Sequence, residues 1–66
     1  MKYHIFINKG LNNERILADV YTDIDQAIAM VNRIKKFSPK VQTVCTGFYK
    51  NGRFVKMYFT GPLELI

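Results

Sequence analysis

This 66-residue chain has one cysteine, Cys45, and one histidine, His4. A lone cysteine excludes an internal disulfide, and the pair is too small a ligand set for a structural zinc site. No apolar run approaches the 18 or so residues needed for a membrane-spanning helix. The apolar stretch in MKYHIFIN is short, is broken by His4 and reads as a strand rather than a signal segment. Nothing marks the chain for export, so a cytoplasmic, reducing location is expected. No glycine-rich phosphate loop or metal-binding carboxylate loop is present.

These absences narrow the ways in which so short a chain can be stable. A domain of this size buries only about 60% of the surface its unfolded form exposes. Without a disulfide or a metal, either a very well-packed core or a second subunit must supply the difference. The chain is 48% apolar with four glycines and two prolines, a composition that favours folding over disorder. One domain spanning residues 1–66 is expected, with no cofactor.

Acidic residues are unevenly spread. Residues 1–25 hold Glu14, Asp19, Asp23 and Asp25 against Lys2, Lys9 and Arg15. Residues 26–63 hold no acid and seven bases: Arg33, Lys35, Lys36, Lys40, Lys50, Arg53 and Lys56. Such a run suits a polyanion or an acidic protein surface, and serves equally as a solubilising charge.

Period-two alternation predicts strands over about 2–8 and 14–21, joined by the turn residues of Lys9-Gly10-Leu11-Asn12-Asn13. Their expected helix-facing sets are Tyr3, Ile5 and Ile7, and Ile16, Ala18 and Val20. A helix is predicted over about 24–37, with Asp23 as N-cap and Gln26 completing a capping box. Ile24, Ala27, Ile28, Val31 and Ile34 form its apolar stripe. Arg33, Lys35 and Lys36 complement the dipole in its last turn, and Ser38-Pro39 ends it. Strands over about 41–49 and 53–60 flank Asn51-Gly52, the signature of a type I′ hairpin. Gly61-Pro62 ends the last strand, leaving a tail over 61–66.

The expected fold is α+β in the order β-β-α-β-β, with one helix on one face of a four-stranded, mostly antiparallel sheet. Strand orders 2-1-3-4 and 1-2-4-3 both keep all neighbours antiparallel. Counting outward from the turn pairs Tyr49 with Phe54, Gly47 with Lys56 and Cys45 with Tyr58. The face away from the helix then gathers Phe6, Leu17, Tyr21, Tyr49, Phe54 and Tyr58 beside Lys2, Arg15 and Lys56. That much apolar area calls for a cover, either a partner or the tail through Leu63, Leu65 and Ile66. The hairpin is also expected to reach past the helix as an arm tipped by Lys50 and Arg53.

The leading functional expectation is a non-enzymatic module that docks a protein partner or itself, through Phe6, Tyr49, Phe54, Lys56 and Tyr58. The second is nucleic-acid binding through Arg33, Lys36, Lys50, Arg53 and Lys56, with aromatics stacking on bases. No RNP, KH, zinc-finger or helix-turn-helix signature accompanies those bases. Catalysis would need His4 and Cys45 to meet, and a buried cysteine acting as a small hydrophobe is far commoner. No catalytic residue, metal ligand, small-molecule substrate or membrane association is expected.

Overall fold

The computed structural model describes residues 1–38 and 40–61. The elements run β1 (His4–Ile7), β2 (Arg15–Ile16), α1 (Ile24–Phe37), β3 (Val44–Lys50) and β4 (Arg53–Thr60). All strand pairs are antiparallel, in the order β2-β1-β3-β4, and α1 packs on one face of the sheet. Among the described residues no helix is long and apolar enough to cross a membrane.

Local chemistry accounts for the helix. Asp23 has extended backbone, and its carboxylate accepts the Asp25 N–H at 2.9 Å. The cap is thus made on Asp25, and Gln26 stays exposed. At the other end Ser38 leaves helical geometry while donating its N–H to the Ile34 carbonyl. The stop attributed to Pro39 lies outside the described residues. Lys35 does more than complement the dipole: its Nζ donates to the Val41 and Gln42 carbonyls, both at 3.0 Å, tying the helix end to the start of β3.

Ile5, Val31 and Val44 are fully buried at the centre of the core, with Leu17, Tyr21, Met30, Ile34, Val41 and Tyr58 around them. Each fully buried aliphatic side chain contributes about 1.5–3 kcal/mol. Buried Asn8 joins β1 to the start of β3. Its Oδ1 accepts the N–H groups of Gln42 (2.9 Å) and Thr43 (3.2 Å), and its own N–H donates to the Thr43 carbonyl. Thr46, also buried, donates from Oγ1 to the His4 carbonyl on the neighbouring strand.

Two registers differ from the sequence expectation. The ladder of β2 is only two residues long, and Phe6 pairs with Ile16, so Ile16 shares the face of Phe6 away from the helix. Leu17 and Tyr21 turn towards the core, while Ile16 and Val20 are exposed. The alternation favours Ile16, Ala18 and Val20, because the other set, Leu17 and Tyr21, is interleaved with the charged Arg15 and Asp19. The larger Leu17 and Tyr21 fill the core better than Ala18, and a one-residue slip exchanges the faces.

The second difference is a β-bulge. Lys50↔Arg53 through Gly47↔Lys56 pair as counted, but the next pair is Thr46↔Tyr58, with Met57 as the extra residue. Tyr58 therefore turns to the helix, where its hydroxyl donates to Asn32 Oδ1 at 2.9 Å. Phe59, paired with Cys45, moves to the opposite face. Asn51 (φ 53°) and Gly52 (φ 78°) carry the positive φ values that the tight turn requires.

Candidate functional site

The face away from the helix is built around neighbouring aromatic rings. Phe6 meets Phe54 edge to face at 4.8 Å between centroids, Phe54 meets Tyr49 at 5.5 Å, and Tyr49 meets His4 at 5.3 Å. The four rings thus form one series of contacts that leaves β1 at Phe6, crosses β4 and β3, and returns to β1 at His4. The Lys9 ammonium lies 4.3 Å from the Phe6 centroid and 5.0 Å from that of Phe54, and Lys56 lies 4.9 Å from that of Phe59. Such cation–aromatic contacts hold positive charge at the apolar surface.

Gly47 makes this packing feasible. A Cβ at Gly47 would run into the Val55 carbonyl and come within 2.9 Å of the Phe54 ring tip. The missing side chain lets Phe54 lie across β3 and reach Phe6. A glycine inside a strand pattern is itself a bulge signal, and it could have foretold the shift that exchanges Tyr58 for Phe59.

The expected contact residues divide accordingly. Phe6, Tyr49, Phe54 and Lys56 share the outer face, but Tyr58 packs on the helix side. Phe6 is buried beneath its neighbours, whereas Tyr49 is 49% exposed and Ile16 50% exposed. Phe59, Ile16 and Lys9 belong to the face and were not among the expected contacts. The coverage by Leu63, Leu65 and Ile66 concerns a tail outside the described residues. Among the described residues the one helix lies on the other side of the sheet.

The five bases expected to bind nucleic acid do not form one patch. Arg33 and Lys36 sit near the helix end that Lys35 ties to the start of β3, while Lys50 and Arg53 flank the turn at its far end. From Gln42 to Lys50 an extended strand spans about 26 Å. Arg33 instead borders an open cleft of about 350 Å³ with Met30, Ile34, Phe37 and Ser38, and the Lys36 ammonium lies 5.4 Å from the exposed Phe37 ring. The β1 ladder ends at His4↔Gly47, so residues 48–55 continue as a two-stranded ribbon whose base is braced by Tyr3 against Phe48 and His4 against Tyr49.

β1 and β3 are neighbours, so His4 and Cys45 share the outer face. His4 packs against Tyr49, and Cys45 is buried opposite Phe6. Burial pushes the Cys45 thiol up, against the opposing pull of Lys56 and Lys9. A nucleophilic cysteine requires the opposite shift. Among the described residues no three His, Cys, Asp or Glu side chains are grouped to hold a metal ion.

No family model, curated protein or solved structure matches this chain.

Proposed function

We propose that this protein is a small non-enzymatic binding module that docks an acidic protein surface on the outer face of its sheet. The observation carrying this reading is the series of aromatic rings that includes half-exposed Tyr49, with Lys9 seated on Phe6 and Phe54 and Lys56 on Phe59 of the same face. Tyr and Phe bring contact area at low entropic cost, and the bordering cations favour partners of opposite charge. Docking onto a second copy through the same face would bring Lys9 and Lys56 near their counterparts, which favours an acidic partner over self-association. A tagged chain recovered from its own cells, with nuclease present, tests the reading against Tyr49→Ala/Phe54→Ala. The expected result is a co-purifying protein with the parent chain and its loss with the variant, both chains giving the same circular dichroism spectrum. Equal recovery with the variant contradicts the proposal.

A second reading, nucleic-acid binding, draws on Lys50 and Arg53, which stand exposed at the ribbon tip beside Tyr49. Binding to single-stranded DNA or RNA that weakens linearly with log salt would favour it. The separation of Arg33 and Lys36 from that tip limits the footprint to the hairpin end of the sheet.

A further inference from the structure

The two edges of the sheet are unequal. β2 forms one edge with a two-residue ladder and offers little to a newcomer. β4 forms the other with eight residues and, among the described residues, only β3 pairs with it. The side of an edge strand turned away from its partner carries a row of backbone N–H and C=O groups ready to template another strand. Val55, Lys56 and Met57 are all exposed, although neighbouring strand residues point to opposite faces. Among the described residues the middle of β4 therefore stands clear on both sides. Two of those three side chains are apolar, and the cations Arg53 and Lys56 accompany them.

We infer that the free edge of β4 accepts an extended, acidic and apolar segment of another protein as a fifth strand. Charge selects this occupant. In an antiparallel pair of two β4 strands centred on each other, Lys56 would lie near Lys56 of the second copy, and like charges across a ladder are destabilising. A lysine and a bulge on an edge are both devices that blunt indiscriminate strand pairing, and β4 carries them side by side at Lys56 and Met57. Neither excludes a strand whose carboxylates line the face of Lys56 while its apolar residues line the opposite face beside Val55. The regular stretch from Arg53 to Lys56 would set the register. Pairing of this kind draws affinity from main-chain hydrogen bonds and specificity from alternate side chains. It uses the edge rather than the aromatic face, so it does not depend on what that face docks.

The probe is a fluorescent peptide of alternating glutamate and valine, matched in length to β4 and titrated into the full chain by anisotropy. Two controls replace glutamate by lysine or methylate every peptide amide. The Glu/Val peptide should bind at least about tenfold tighter than the Lys/Val peptide at low salt. Methylation should weaken it by about thirtyfold or more, the loss of two or more main-chain hydrogen bonds. Hydrogen exchange should slow at the Phe54 and Lys56 amides, which the hairpin register turns outward. Tyr49→Ala should leave this binding unchanged, which separates it from docking on the outer face. No binding of the Glu/Val peptide, equal binding of the methylated peptide, or protection that avoids β4 would each overturn the proposal.

Discussion

Asn8 offers a quantitative test of how the sheet is held together. Its backbone is left-handed (φ 54°), and its Oδ1 accepts both the Gln42 and the Thr43 N–H. Those bonds fasten the end of β1 to the entrance of β3, the seam that lies beneath both faces. Asn8→Gly keeps the backbone relaxed but removes the acceptor. Leaving the two partly buried donors without it should cost about 2 kcal/mol, at the low end of the range for each. Asn8→Ala removes the same acceptor and also places a Cβ in the left-handed region, adding about 1 kcal/mol, for about 3 kcal/mol in all. A chain of this length has a total stability of roughly 3–10 kcal/mol, so either loss is a large share of it. Urea denaturation followed by circular dichroism measures both. With a slope near 1 kcal/mol per molar for so small a domain, the midpoints should fall by about 2 M and about 3 M. Losses below about 0.5 kcal/mol for both variants, or an alanine variant more stable than the glycine one, would refute the reasoning.

Other consequences can be measured in the same way. Gly47→Ala should destabilise by about 1–3 kcal/mol, because its Cβ meets the Val55 backbone, which cannot swing aside like a side-chain tip. Gly61→Ala should also destabilise, since Gly61 has φ 129° and a Cβ there would lie 2.5 Å from the Gln42 carbonyl oxygen. Tyr58→Phe should cost about 1 kcal/mol through the lost bond to Asn32 while leaving partner docking intact, because Tyr58 faces the helix. Cys45 predicts an alkaline effect. Its folded-state pKa is raised by burial, so the unfolded chain loses this proton first. Stability should therefore decline as pH climbs past the ordinary thiol range and on through the raised folded value. Comparing the urea midpoints of the parent and Cys45→Ala at neutral and alkaline pH isolates this part of the decline, which the variant should lack.

The legible parts of the fold are those decided by neighbours in the sequence. Asn51-Gly52 dictates its turn through positive φ. Asp23 and the Ile24, Ala27, Val31 spacing specify α1, and counting from the turn gives the pairing of Tyr49 with Phe54 correctly. Strand order was open because both candidate orders keep every neighbour antiparallel. The observed order has β1 beside β3, and Asn8 and Thr46 bond across that junction. The structure departs from the local pattern where contacts between strands override it. In residues 15–21 the alternation favours Ile16, Ala18 and Val20, and the core volume filled by Leu17 and Tyr21 overrides it. The bulge at Met57 coincides with Phe54 lying over Gly47, a contact between strands. It is also why Tyr58 left the candidate site and Phe59 entered it. Lys9 carried no signal at all, since its place over Phe6 and Phe54 depends on the path of the loop after β1.

The most direct test of the docking account places a photoreactive phenylalanine analogue at position 49 on the outer face or at position 33 on the helix, with irradiation in the protein's own cells. Docking on the aromatic face predicts a discrete protein adduct from position 49, lost with Phe54→Ala and Lys56→Glu, and no such adduct from position 33. Equal adducts from both positions, or an adduct from position 49 that nuclease removes, would contradict it.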